Sequence, residues 1–514
     1  MRRIIAAVMA AALLAGCSSG PAEDDATLTI LAGSELSDLA PVLDDAAKAT
    51  GVTVDFTYAG TLDGVRQVVS GQAAQDHQAI WFSSNRYLDL HGGGRVTTAT
   101  PIMSSPVVVG VRPEAARRLG WDAKAPTWAQ IARAAVNRDF TYGMTSPAAS
   151  NSGFSALVGL ATALNSGSDL DPASIEKVSP GLKDFFSAQT LTSGSSGWLS
   201  EVFVRKGVEV DGLVNYESVI TSLNASGRLT EPLTVVYPSD GVVTADYPLS
   251  LLPGATPEQE KAYRALTDYL LRPETQRKIS ELTHRRPVVP SVPFTGPADL
   301  RELPFPGALE TVDRLIAAFY DRLRRPSRTV YVIDVSGSMT GERIAQLKRA
   351  FVTLTGDGGS GVDRFYNREE VTVVPFSTKP QTPQEFTVPA SGPQAELQRI
   401  RRFAEALRVG GGTAIYDSLT SAYEIVKKKV AADPDRFTSI VLMTDGENTQ
   451  GRDFGDFRGG FAGYAALDVP VFPVLFGEAK ETEMRDLAAL TGGRSFDARK
   501  QPLETVFREI RGYQ

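Results

Sequence analysis

Short apolar runs alternate along this chain with longer segments whose apolar residues recur every three or four positions. The runs Thr27–Leu31, Val52–Tyr58, Ala79–Phe82, Phe140–Met144 and Leu233–Tyr237 predict strands, and Leu36–Ala47 and Gly153–Leu164 predict helices. That alternation predicts an α/β domain with mostly parallel pairing over residues 27–290. Six prolines between Pro287 and Pro306 then break the pattern and mark a boundary. Residues 291–326 read as a proline-rich linker and a bridging helix. Its Leu309, Val312, Leu315, Ile316, Phe319 and Leu323 share one face, which needs a partner to cover it. From Thr329 the alternation resumes. Strands are predicted at Thr329–Ile333, Val371–Phe376, Ser439–Thr444 and Val471–Phe476, with helices near 342–354, 395–408, 415–430 and 481–490. This is the pattern of a doubly wound sheet over residues 327–514. Pro375 inside the second of these strands predicts an early end or a bulge there.

Composition narrows the chemistry. A chain of 514 residues with 42% hydrophobic and 22% charged residues needs at least two cores and has the make-up of a globular protein. One cysteine and three histidines exclude a disulfide framework, an iron–sulfur centre and a CxxC zinc site. A net charge of −7 with no basic run argues against nucleic acid as a partner. The lone cysteine follows Met1-Arg2-Arg3 and the apolar run Ile4–Leu14, which is too short to span a bilayer and reads as a signal peptide over residues 1–16. Leu14-Ala15-Gly16-Cys17 resembles the bacterial lipobox. The resemblance implies a diacylglyceryl group on Cys17 and an extracytoplasmic, membrane-anchored protein without a transmembrane helix. The alternative is a plain secretory signal with an unrelated cysteine. Removal of residues 1–16 takes two arginines and leaves a charge of −9, and residues 17–26 are small and acidic, as suits a tether.

In the second half, the strand ending at Ile333 runs into Asp334-Val335-Ser336-Gly337-Ser338, which offers a carboxylate and two hydroxyls beyond the carboxyl end of a strand. These all-oxygen donors suit a hard divalent cation. Alone they would equally make a helix cap. Two further segments lie at the ends of predicted elements: Gly410-Gly411-Gly412-Thr413 before a helix, and Thr444-Asp445-Gly446 after a strand. Together the three resemble, in order, the metal-ion-dependent adhesion site of von Willebrand factor type A domains. The resemblance implies that Ser336 and Ser338 bind the metal directly and that Thr413 joins them in the ligand-competent state. Asp334 and Asp445 would act mainly through coordinated water. The cofactor implied is Mg²⁺, or another divalent cation such as Mn²⁺ or Ca²⁺, with an acidic group of a partner in the open position. Catalysis would need a base beside the metal, for which only Glu342 and Glu447 are near in sequence. No catalytic residue is assigned and the chain reads as a non-enzyme.

In the first half, small polar residues follow several strand ends: Ser34, Thr61, Ser84 and Ser152. Helix N-termini with hydroxyls beside them can bind polar or anionic ligands, although the same residues serve widely as caps. Asn151-Ser152-Gly153, Tyr216-Glu217-Ser218, Asp246-Tyr247-Pro248-Leu249 and the stretch from Tyr269 to Gln276, running on to Arg285-Arg286-Pro287, resemble type 2 periplasmic-binding-like domains. These two-lobed domains are the fold of solute receptors for oxyanions and other small molecules. By that resemblance Ser34, Thr61, Ser84 and Ser152 would face the cleft. The chain is thus expected to be a lipid-anchored binding or adhesion protein, its metal site taking a protein or cell-envelope partner and its receptor half a small polar or anionic solute. A solute-binding component of an ABC-type uptake system is the alternative, and metal-dependent hydrolysis a third.

Overall fold

The computed structural model describes residues 26–356, 364–477, 479–499 and 503–513. The expected signal peptide over residues 1–16 and Cys17 lie outside the described residues. Among those described, no helix is long and apolar enough to cross a membrane.

The first half folds around two sheets. One orders its strands Val52–Tyr58, Ala26–Ala32, Ala79–Trp81, Pro248–Leu251 and Thr98–Pro101. The other runs Thr244–Ala245, Met103–Val111, Gly212–Tyr216, Tyr142–Thr145 and Gln189–Ser193, with Thr234–Val236 and Arg286–Pro287 also paired to Met103–Val111. The expected predominance of parallel pairing does not hold. Ala26–Ala32 and Tyr142–Thr145 pair in parallel with both neighbours, but Met103–Val111 and Pro248–Leu251 pair antiparallel with all of theirs. The reason is the chain path. Thr98–Pro101 passes straight into Met103–Val111 in the other sheet, and the chain comes back through Thr244–Leu251 without the helical crossover that parallel pairing requires.

The expected bridging helix forms as Leu309–Ala318 and continues as a wider turn over Phe319–Leu323. Its apolar face is covered. Val312, Leu315, Ile316, Phe319 and Leu323 are buried in the core of the first half, and Phe319 meets Phe186 edge-on at 4.8 Å. The linker is therefore docked on the first half, with its apolar face removed from water.

The second half is one six-stranded sheet ordered Gln384–Thr387, Glu370–Phe376, Ser327–Asp334, Phe437–Thr444, Val471–Leu475, Phe496–Asp497, parallel except at the first pair. Helices cover both faces. Tyr331 and Ile333 join one core with the helices Glu342–Leu354 and Leu503–Arg511, and Val330 and Val332 join the other with Ile415–Ala432. A central strand buried on both faces reads as a continuous apolar run for this reason. The strand carrying Pro375 neither stops early nor bulges. It pairs in register up to Asp334↔Phe376. The Pro375 carbonyl accepts from the Gln381 N–H, while the Phe376 carbonyl accepts from Val335 across the parallel pair. The main-chain groups of Pro375 therefore face away from the central strand, and no ladder bond is lost.

Candidate metal centre and ligand cleft

Parallel register builds the metal-type site. Ser327–Asp334 and Phe437–Thr444 lie side by side with Ile333 opposite Met443, so both strands deliver a polar residue at their carboxyl ends. The Thr444 hydroxyl donates to Asp334 Oδ2 at 2.8 Å, and the Ser336 N–H donates to Asp334 Oδ1 at 2.8 Å. Ser336 Oγ and Ser338 Oγ are 3.0 Å apart, and Ser338 donates to Asp445 Oδ1 at 2.8 Å. Asp334, Ser336, Ser338 and Asp445 thus form one hydrogen-bonded group of oxygens. Both carboxylates are fully buried and Ser338 reaches solvent. The glycines ahead of Thr413 are tied to the same turn by main-chain bonds, and Thr413 itself is held by Thr449. The Gly410 N–H donates to Val335, the Gly411 carbonyl accepts from Gly337 at 3.0 Å, and the Thr413 N–H donates to Thr449 Oγ1 at 2.9 Å.

The donor chemistry fits a hard divalent cation. It comprises two carboxylates and several hydroxyls with no nitrogen or sulfur donor among them. Among the described residues, no three His, Cys, Asp or Glu side chains gather as a metal cluster, so the hydroxyls and water would have to complete the coordination. Burial pushes the Asp334 carboxyl above its ordinary range. Its bonds from Ser336 and Thr444 oppose that rise, and neighbouring Asp445 adds to it.

One cation does enter the group. Arg343, in the first turn of Glu342–Leu354, places Nη1 2.5 Å from Asp445 Oδ2. Sequence reasoning missed it. The available signal was a cation at a helix N-terminus, where the helix dipole disfavours it. Glu342 and Glu447, the candidate bases, are both held in solvent-facing ion pairs, with Arg349 and with Lys480 (2.9 Å).

In the first half, a cavity of about 790 Å³ is lined by Ser34, Tyr58, Ser150, Asn151, Ser195 and Ser196, among others. Of the expected cleft residues, Ser34 lines it. Thr61 opens the helix Thr61–Val69 just beyond Gly60, which lines the cavity. Ser152 sits one layer behind, fully buried, its hydroxyl bonded to Thr145 (2.8 Å) and Ser196 (2.9 Å). Ser84 is placed elsewhere: it is buried and caps a turn by accepting from the Arg86 N–H at 3.3 Å. Gly153 keeps this helix start close to its strand, because a Cβ there would lie 2.2 Å from the Thr145 carbonyl oxygen. Gly153→Ala is expected to lower stability by roughly 1–3 kcal/mol through overpacking, read from chemical denaturation.

The residues that carried the resemblance are mostly internal ties. Asn151 donates to the Tyr216 hydroxyl at 2.7 Å, and Arg286 clamps buried Glu217 at 2.6 and 2.8 Å. Gln276 donates to the Ile102 carbonyl at 2.8 Å, and buried Arg285 holds Asp38 at 2.8 Å. The far wall of the cavity was not foreseen. Arg494, Glu509, Arg511 and Tyr513 of the second half line the same space. Tyr513 meets Trp198 edge-on at 4.7 Å, and Tyr320 of the linker stacks on Tyr366 at 4.2 Å.

Comparison with known proteins agrees with this division. Residues 28–281 match the family described as bacterial extracellular solute-binding protein, and residues 329–447 match the von Willebrand factor type A domain. The chain joins a solute-binding domain to a von Willebrand factor type A domain. Among curated relatives, inter-alpha-trypsin inhibitor heavy chain H4 of Sus scrofa is 33% identical over 129 residues, which are 24% of this chain and 13% of that protein. Heavy chain H1 of Mesocricetus auratus is 31% identical over 125 residues, again 24% and 13%. The chain thus spans only a small part of the length of these relatives. Among solved structures, the periplasmic binding protein P5PA aligns at 17% identity and a TM-score of 0.45, covering 58% of this chain and 100% of its own. The periplasmic binding protein AfuA from Actinobacillus pleuropneumoniae, with fructose-6-phosphate bound, aligns at 12% and 0.45, covering 58% and 99%.

Proposed function

We propose that this chain is an extracytoplasmic, lipid-anchored binding protein, not an enzyme. In this reading its von Willebrand factor type A domain holds a divalent cation, Mg²⁺ in the first instance, and through it an acidic group on a protein or envelope partner. The observation that carries the reading is the hydrogen-bonded group of oxygens from Asp334, Ser336, Ser338 and Asp445, with both carboxylates buried, at the carboxyl ends of two parallel strands. A bound cation would supply an electrophilic position for an incoming carboxylate. The chain's own residues orient the donors: Thr444 and the Ser336 N–H hold Asp334, and Ser338 holds Asp445. The surface ion pairs of Glu342 and Glu447 support binding over hydrolysis, since neither is poised as a base. Pull-down from the native membrane should recover a partner with Mg²⁺ present and lose it in chelator. Equal recovery in both would overturn the metal-dependent role.

The solute-binding domain is proposed to take a small polar or anionic ligand in the cavity lined by Ser34, Ser150, Asn151 and Ser195. Delivery of that solute to an uptake system is the second reading, favoured by the family match over residues 28–281. Thermal-shift screening of the full chain against small solutes tests both. A stabilising solute is expected, and the absence of any would count against transport.

A further inference from the structure

We propose that Arg343 is a tethered counter-cation that competes with the metal for Asp445 and so sets how tightly this site holds a divalent ion. The inference rests on the metal-binding reading of the Asp334–Asp445 site and adds a residue that the reading does not require.

Asp445 is fully buried, so its carboxylate needs a compensating positive charge within reach. Arg343 supplies one. Nη1 lies 2.5 Å from Oδ2 and also faces the Ser338 carbonyl at 3.4 Å. Two features show that the placement is specific. Arg343 occupies the first turn of Glu342–Leu354, where the partial positive charge of the helix end disfavours a cation and an opposing carboxylate must offset it. Its guanidinium also passes over Gly477, where a Cβ would stand 2.6 Å from Arg343 Cζ, and Gly477 has a φ of +43°, a conformation that favours glycine. A side chain at 477 would block that path.

Arg343 and a dication cannot both be close to Asp445 without repulsion. The arginine side chain is about one-third exposed, so it has solvent to move into when the metal arrives. Asp445 is thereby compensated in both states, by Arg343 without the metal and by the ion with it. The arginine weakens the metal's affinity by the strength of the pair that must be broken.

The test is calorimetric titration of the full chain with Mn²⁺ as the probe, together with thermal unfolding in chelator. The wild type is compared with Arg343→Gln and Arg343→Lys. Arg343→Gln is expected to bind Mn²⁺ about tenfold or more tightly, because no cation has to leave. In chelator it is expected to melt lower than wild type, because Asp445 is then buried without a counter-charge. Arg343→Lys keeps the charge and is expected to fall between the two on both measures. Equal Mn²⁺ affinity in wild type and Arg343→Gln would overturn the role of Arg343 and leave the metal site standing. If neither chain binds Mn²⁺, the metal reading itself fails and this inference falls with it. A wild type and a variant that melt alike in chelator would show that Asp445 does not depend on the arginine, which also overturns the proposal.

Discussion

In Glu369→Gln, the free energy of unfolding is expected to drop by about 3–5 kcal/mol at neutral pH, the largest effect of any single isosteric change proposed for this chain. Glu369 is almost fully buried between two guanidiniums. Arg511 of the C-terminal helix reaches its Oε1 and Oε2 at 2.7 and 2.9 Å, Arg324 of the linker pairs with the same Oε1, and the Tyr366 N–H donates to Oε2 at 3.1 Å. Both arginines are themselves buried, so losing the one carboxylate removes the negative charge that the two share in the interior. The same group predicts an acid transition. Burial alone would raise its pKa, but Arg511 and Arg324 outweigh burial and hold it below the ordinary value of 4.5. A carboxylate depressed in the folded state contributes its full stabilisation above its unfolded pKa and loses it as pH falls through the folded one. The wild type should therefore lose this contribution below about pH 4.5, and Glu369→Gln should show no corresponding loss. Denaturant titrations followed by circular dichroism at neutral and acid pH check both points. Equal stability of the two chains at neutral pH would refute the argument.

Asp334→Asn is expected to cut divalent-ion affinity by roughly ten- to a hundredfold, as changes to groups that orient a metal's ligands do. Stability in chelator should barely change or should rise slightly. The sign follows from the raised pKa of Asp334. A carboxyl elevated in the folded state favours folding when protonated, and that benefit is lost as pH rises through the folded pKa, so at neutral pH its charge is a burden to the metal-free chain. Asparagine retains the size and an acceptor for the Ser336 N–H while removing the charge. Mn²⁺ calorimetry and melting curves with and without chelator separate the two effects. A large loss of stability in chelator, with metal affinity intact, would mean that Asp334 is a structural tie only.

Much of the metal-type site was legible because its residues are local. Asp334, Ser336 and Ser338 lie on one turn, and each remaining part is a short segment at the end of a strongly patterned strand or helix. The cleft was legible only at Ser34, and Thr61 was placed near it. Hydroxyls after strands are too common to rank, and Ser84 proved to cap a turn while Ser152 feeds a buried hydroxyl network. Parallel pairing was over-predicted in the first half because Met103–Val111 and Pro248–Leu251 carry no local mark of direction. Only the chain's passage between two sheets makes them antiparallel.

The linear order of apolar and polar positions by itself determined that there are two α/β units, a proline-marked junction with an amphipathic helix, and an all-oxygen donor set. Each element, and each separate segment of the donor set, depends on neighbours within a few residues. Tertiary structure alone decided that Arg343 meets Asp445, that Glu369 joins the linker to the C-terminal helix, and that the second half walls the cavity of the first. Those contacts join residues about 45 to several hundred positions apart. Charge balance and packing choose such partners only after the chain has folded, when burial makes an unmatched charge costly.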